Sequence, residues 1–385
     1  MIALSKEAKA LGLKMGGAYH ENRDIILKNQ VETFSSNYNL YQNISNRVMM
    51  LLSEMSSKIE VYSIDEAFLD LSLIGEQELF EHAQNIKETV QKQVGIPVSV
   101  GIGRTKVLAK LANELAKKSP RAKGIVCLDC ARYEAAALEK TLVHQIWGVG
   151  KKLSLKLELL GLKTAQDLCD YPNDKVLHKI GTKKMLEIRD ELRGISCLSF
   201  IVRDKKKNIG SSKSFGKKVF SIIELKEALA NYATRAAFKM RSQGSRAKYI
   251  AIYMRTNPFD RNSSQHCEGA YLRLEFSTLD TREIISKAWA LADEIFLPGY
   301  AYKKAGIELS EFEDRDEYQL VLGQKINWSA EKLMDTMDRV NARFGDNTLK
   351  VMACGTHNPW KMLSQMKSQR HTTHILEAPK VRSCI

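Results

Sequence analysis

The stretch "IEVYSIDEAFLDLS" (Ile59 to Ser72) sets two adjacent acids, Asp65 and Glu66, between short apolar runs rich in Ile, Val, Tyr and Phe. The alternation of apolar and polar residues on each side predicts two paired strands with a turn at the acids. In a continuous strand, neighbouring side chains point to opposite faces, so two adjacent carboxylates share a site only where a turn or bulge brings them together. The hairpin tip offers that position. Taken alone, an adjacent Asp-Glu pair reads more readily as a solvated hairpin tip than as a site.

The residues downstream weight the choice toward chemistry. In "TKVLAKLANELAKK" (105–118), helical spacing puts Leu108, Leu111, Ala112 and Leu115 on one stripe and Lys106, Lys110 and Lys117 on the other. A lysine-lined helix beside an acid-bearing hairpin suits a triphosphate whose charge is shared between metal ions and ammonium groups. Around these motifs the first half reads α-β-β-α-β: helix 39–56, strands at "IEVYSI" and "AFLDLS", helix 77–94 and strand "PVSVGI" (97–102). An opening strand should precede that series. Upstream of Asn39, however, the residues read mainly as the helix "SKEAKALGLKMG" (5–16) and a loop.

The second half gives the same order complete: strand 212–220, helix 224–244, strands 249–256 and 271–278, helix 281–296 and strand 302–312. This β-α-β-β-α-β series is the ferredoxin-like pattern. Ile250, Ile252 and Met254 should face the helices, leaving Tyr249, Tyr253 and Arg255 on the open face. Between the halves, "LVHQIWGVGKKLSLKLELLGLKTAQDL" (Leu142 to Leu168) has the form of a helix-hairpin-helix. Its glycines, Gly148 and Gly150, let backbone N–H groups approach a phosphate at a helix N-terminus, and Lys151 and Lys152 follow at once.

The chain has 385 residues, 44% of them hydrophobic, enough for two or three domains with buried cores. Its formal net charge of +14 suits a polyanionic partner such as nucleic acid. The block "RDKKKNIGSSKSFGKK" (Arg203 to Lys218) reads as a basic linker with a Gly-Ser hinge, either touching DNA or simply solvated. The seven scattered cysteines form no disulfide framework, and neither Cys127/Cys130 nor His371/His374 has the partners of a metal site. No apolar run approaches the about 18 residues of a membrane span, and residues 1–9 lack a secretory apolar core, so a cytoplasmic location is expected.

Together, "YSIDEAFLDLS", "SVGIGRTKVLAKLANELAKK", the G-V-G hairpin and "KSFGKKV" resemble the Y-family translesion DNA polymerases, specifically their UmuC branch. The resemblance runs from about Glu7 to the C-terminal region and takes in "EAKALGLKMG", "FSSNYNLYQNISNRVM" and "YKKAGIELSEF". It implies an α+β polymerase hand. Residues 1–40 would be a remnant of the fingers, 41–130 a ferredoxin-like palm lacking its first strand and 131–202 a helix-hairpin-helix thumb. Residues 203–211 would be a basic linker, 212–315 a ferredoxin-like little finger and 316–385 a C-terminal region with a basic tail. It also implies nucleotidyl transfer with two Mg²⁺ ions on damaged primer-template DNA in the SOS response. Asp65 and Glu66 would be catalytic metal ligands, Lys9 and Lys117 contacts to the incoming dNTP, and Gly148, Gly150, Lys151, Lys152 and Lys213 contacts to DNA. A UmuD-like dimer, RecA and the sliding clamp are the partners it suggests.

The sequence departs from the family's pattern at two places. Members begin with a strand of D-x-N-x-F-Y form, which supplies a bridging Asp and an aromatic steric gate; these 385 residues contain no such stretch. Without that strand a two-metal site loses a carboxylate and neighbouring strands lose hydrogen-bond partners, so poor polymerisation is expected. A non-catalytic DNA-binding relic is the alternative. The clamp motif Gln319, Leu320, Leu322 stands in "QLVLG", with Gly323 where an aromatic anchor belongs, which predicts weak clamp binding.

Overall fold

The computed structural model describes residues 1–128, 131–201, 205–316, 328–372 and 374–378. The chain divides into two units, one of Met1–Val202 with Met366–Ile385, the other of Arg203–Gln365. Among the described residues no helix is long and apolar enough to cross a membrane.

In the first unit, α1 (Lys6–Ala10) and α2 (Arg23–Lys28) share a small apolar cluster of Ala8, Leu13 and Ile26. Next comes α3 (Tyr38–Glu54), capped by the Asn37 side chain, which accepts from the Leu40 amide. The hairpin β1 (Ile59–Val61) and β2 (Ala67–Leu69) is antiparallel, as its alternation predicts. Then follow α4 (Leu79–Val94), β3 (Val100–Ile102), α5 (Lys106–Lys118) and β4 (Ile125–Cys127). The helices α6 (Ala131–Lys140), α7 (Lys151–Leu159), α8 (Ala165–Asp170) and α9 (Asp174–Leu192) complete the unit, with α9 broken at Gly181 and Thr182.

The expected α-β-β-α-β order is present, but its strands do not make one sheet. β1 and β2 form one two-stranded sheet; β3 forms another with β4, a parallel partner that the sequence reading did not anticipate. Among the described residues no strand joins the two pairs. Glycines in β3 and directly after it explain how closely α5 lies on the strand: a Cβ at Gly101 would fall 2.1 Å from the Asn113 amide, and one at Gly103 2.7 Å from the Ala109 amide. One apolar core then runs from Val107, Leu108 and Leu111 of α5 through Val149 to Leu157, Leu168, Met185 and Ile188. It crosses the palm-thumb boundary drawn from sequence at 130/131.

The second unit comprises β5 (Asn208–Val219), α10 (Ile222–Ser242), β6 (Ser245–Thr256), β7 (Cys267–Thr278), α11 (Thr281–Ile295), β8 (Tyr302–Asp314) and α12 (Trp328–Phe344). Its four-stranded antiparallel sheet has the order β5-β8-β6-β7. The predicted element series is therefore complete, while the first strand lies at an edge, a position that the element order alone did not give. Ile250, Ile252 and Met254 are buried in the core with α10 and α11, as the alternation requires. Tyr249 stacks on Tyr271 at 5.3 Å, and Lys304 lies 5.7 Å from the Tyr253 ring. The Gly-Ser hinge is corrected: Gly210, Ser211 and Ser212 sit inside β5, paired with Glu308, Ile307 and Gly306 of β8. The ladder hydrogen bonds fix these small residues where composition suggested a flexible joint.

Candidate active site

Pairing of Val61 with Ala67 leaves residues 62–66 to close the hairpin. The amides of Tyr62 and Ser63 both donate to the Glu66 carbonyl at 3.0 Å. The Ser63 hydroxyl donates to Asp65 Oδ1 at 2.6 Å and accepts from the Asp65 amide at 3.3 Å. The tip is thus pinned by its own backbone and one hydroxyl, and the two acids lie in the turn that a shared site needs. Asp65 is exposed and Glu66 half-buried.

The lysine stripe of α5 reaches the site in part. Lys110 Nζ lies 2.6 Å from Glu66 Oε1 and 5.8 Å from the Tyr62 ring, and Lys117 Nζ lies 3.8 Å from the same carboxylate oxygen. The two lysines are seven residues apart, about two helical turns. Lys106, predicted on the same stripe, does not belong to the site. Its ammonium is buried against Glu60 at 2.5 Å, donates to the Ser199 carbonyl at 2.7 Å and lies 4.9 Å from the Phe200 ring. The Ile201 amide donates to Glu60 as well, at 2.8 Å, so residues 199–201 cover that end of the helix.

The remaining sequence candidates are dispersed. Lys9 is exposed in the last turn of α1, and among the described residues no ion pair joins it to Asp65 or Glu66. Gly148 has φ +93, and a Cβ there would meet Ile188 Cδ1 at 2.8 Å, so both backbone and packing require glycine. Gly150 caps the N-terminus of α7 with open space where a Cβ would stand, and Lys151 and Lys152 are the exposed first residues of that helix. Lys213 is exposed on β5 of the second unit. Gln319, Leu320 and Leu322 lie outside the described residues.

Sequence reasoning missed an aromatic cluster at the base of the hairpin. The Trp147 ring lies 5.4 Å from Tyr62 and 5.5 Å from Phe68, and its Nε1–H donates to the Tyr62 hydroxyl at 3.3 Å. The residue before the G-V-G turn therefore packs on the strands that carry the acids. No local spacing could pair residues 85 positions apart; the sequence signal was a lone Trp ahead of the glycines.

Among the described residues no group of three or more His, Cys, Asp and Glu side chains is placed to hold a metal ion. Asp65 and Glu66 nevertheless supply adjacent hard oxygen donors, which suit Mg²⁺ when water and substrate oxygens complete its shell. The pair fits the ion chemically and would supply part of its coordination.

Residues 1–114 match the impB/mucB/samB family, and residues 206–322 match that family's C-terminal domain. Residues 331–381 match a domain described as being of unknown function (DUF4113). The chain is 37% identical over 387 residues to Protein UmuC of Salmonella typhimurium, covering 99% of this chain and 92% of that protein. It is 35% identical to Protein MucB of Escherichia coli, covering 98% and 90%. Its fold is similar to that of the Y-family DNA polymerase chimera Dbh-Dpo4(243-245)-Dbh, with a TM-score of 0.62 at 22% identity, covering 79% of this chain and 85% of that one. The chain belongs to the impB/mucB/samB family, as a UmuC-type Y-family polymerase.

Proposed function

We propose that this chain is a UmuC-type translesion polymerase subunit whose Asp65 and Glu66 hold Mg²⁺ for nucleotidyl transfer on damaged template DNA. The observation that carries the reading is the pinned hairpin tip, with Glu66 facing Lys110 and Lys117 from one helix. When bound, Mg²⁺ would activate the primer 3′-hydroxyl and stabilise charge on the α-phosphate. Lys110 neutralises Glu66 in the half-buried part of the site. Lys117, 46% exposed, lies between Glu114 at 3.5 Å and Glu66 at 3.8 Å and would turn from these carboxylates toward a triphosphate.

DNA would be held through phosphates by the amides and lysines at Gly150–Lys152, and by the tyrosine- and lysine-bearing sheet face of the second unit. Lys213 on β5 and Lys9 near the N-terminus are further contacts in this proposal. A UmuD-like dimer and RecA would serve as partners in the SOS response, and the clamp would engage weakly at Gln319, Leu320 and Leu322.

Primer extension on an abasic template with Mg²⁺ tests the whole reading. We expect tight, salt-sensitive DNA binding with templated incorporation, and loss of incorporation in Asp65→Asn. Incorporation indifferent to Asp65→Asn would remove the assignment of the site.

The helix-hairpin-helix contact gives its own prediction. Replacing Lys151 and Lys152 by Ala should lower the slope of log affinity against log salt by about 2, because each phosphate contact releases about one counterion. Titration of a fluorescent primer-template at several salt concentrations measures it, and an unchanged slope would place the DNA elsewhere.

A further inference from the structure

The segment matched to a domain of unknown function begins as part of the sheet unit. Met334 and Met337 of α12, Cys354 and Trp360 all lie in the same buried core as the strands. Residues 351–361 are fastened to α10. The Cys354 carbonyl accepts from Asn231 Nδ2 at 2.8 Å and from Asn358 Nδ2 at 3.0 Å, and the Cys354 Sγ lies 3.3 Å from the Thr234 hydroxyl. Gly355 has φ +63, and a Cβ there would stand 2.8 Å from Glu227 Oε1, so the turn fits the helix closely.

Trp360 carries this segment onto β5. It is 2% exposed, and its ring lies 6.0 Å from both Phe215 of β5 and Tyr232 of α10. Its carbonyl accepts from the Gly216 amide at 2.9 Å, and a Cβ at Gly216 would stand 2.5 Å from the Lys361 carbonyl. These contacts fall where β5 leaves its ladder. Ser214 pairs with Lys304 and Val219 with Tyr302, so residues 215–218 stand opposite Lys303 alone. The Lys303 ammonium donates to the Phe215 carbonyl at 2.6 Å. The bulge is therefore held by β8 and by Trp360, with Phe215 and Val219 in the core and Lys217 and Lys218 exposed between them. Lys218 meets Asp260 at 2.8 Å. A bulge of this kind re-aims the side chains that it carries.

We propose that residues 351–361 are a buttress that sets the course of this bulge, and that Trp360 is a positioning residue for phosphate contacts made by Lys217 and Lys218. The proposal rests on the reading that the sheet unit holds DNA through β5. Because β5 is an edge strand, the Gly216 amide finds its acceptor in Trp360 and not in a neighbouring strand. Without the indole, Phe215 loses the ring it packs on and the carbonyl that holds Gly216 loses its anchor, while the ladder on either side stays paired through Ser214 and Val219. The bulge then takes several courses, and two ammonium groups spread over many positions bind a pair of phosphates less well than two held in place.

Salt titrations with a fluorescent primer-template and hydrogen exchange, both on the full chain, test it. Replacing Lys217 and Lys218 together by Ala should lower the slope of log affinity against log salt by about 2. Trp360→Ala should lower it by about as much, and should add little when combined with the lysine pair, since both changes act through the same contacts. Trp360→Phe should keep the parent slope. In Trp360→Ala the Gly216 amide should exchange roughly tenfold or more faster, while the Ile250 and Ile252 amides of the central strand β6 keep their protection. Should Trp360→Ala also open β6, Trp360→Leu, which fills part of the core without reaching both rings, should show the same losses in smaller degree. Parent slope in the Trp360 variants beside an effective lysine pair would overturn the buttress, as would unchanged exchange at Gly216. A lysine pair without effect would overturn the reading of β5 as a DNA contact, and the proposal with it.

Discussion

Glu60→Ala is expected to destabilise the hairpin unit by about 3–5 kcal/mol, the usual cost of leaving one member of a buried ion pair alone. Lys106 is 8% exposed and Glu60 9%, so neither group exchanges its partner for water at little cost. Removing the carboxylate leaves the ammonium with the Ser199 carbonyl and the Phe68 and Phe200 rings, and deprives the Ile201 amide of its acceptor. Because Lys106 is the first residue of α5, the loss should also loosen the helix that presents Lys110 and Lys117 to Glu66. The paired change Glu60→Leu with Lys106→Met should recover most of the stability, since it removes both charges together. Denaturant titration followed by exchange of the β1 amides measures both variants. A Glu60→Ala chain within about 1 kcal/mol of the parent would mean that the buried pair is solvated after all.

A loss of similar size, about 3–5 kcal/mol, is expected for Arg241→Ala in the sheet unit. The guanidinium is 2% exposed and makes four hydrogen bonds to three residues. Nε and Nη2 donate to the two oxygens of Asp338 at 2.7 and 2.8 Å, and Nη1 donates to the Leu279 carbonyl and the Thr281 hydroxyl at 3.0 and 2.8 Å. Arg246 and Arg315 meet Glu331 and Asp335 of the same helix at 2.5 and 2.8 Å, while Met334 and Met337 fill the core beneath it. An acidic stripe on α12 is thus held by three arginines. Arg241→Lys should recover little, because an ammonium cannot reproduce the two-pronged contact with Asp338.

The same clasp gives a pH dependence. The Arg315 guanidinium beside Asp335 holds that carboxyl below its ordinary range. A carboxyl lowered on folding contributes stability that is present above its unfolded value, near 4, and is lost as pH falls through the folded one. Exchange of the α12 amides should therefore accelerate below about pH 4, and less so in Asp335→Asn, which starts without the charge.

Much of the site was legible because its signals are local. The acids of "SIDEAF" fall at a turn by alternation alone, and the seven-residue spacing puts Lys110 and Lys117 on one helical face whatever that helix packs against. Lys106 shows where such reasoning stops. Its place on the wheel is right, yet residues 199–201, more than ninety positions on, cover that end of the stripe and turn a candidate phosphate contact into a structural ion pair. β4 was missed for a similar reason: a three-residue strand carries no period of its own, and its pairing with β3 becomes favourable only once α5 lies across both.

The sequence by itself determined what depends on neighbours within a few turns of chain: the strongly periodic helices and most strands, the hairpin tip with its two carboxylates and the basic character of α7. Tertiary structure decided what depends on distant partners. It set the sheet order β5-β8-β6-β7, conscripted Gly210–Ser212 into a strand, stacked Trp147 on the acid-bearing hairpin and returned the tail to Ser35. The physical reason is the same in each case. Local conformation follows from sterics and hydrogen bonds that a short segment carries with it, whereas contacts between remote segments gain their free energy from surfaces that exist only after folding has brought both sides together.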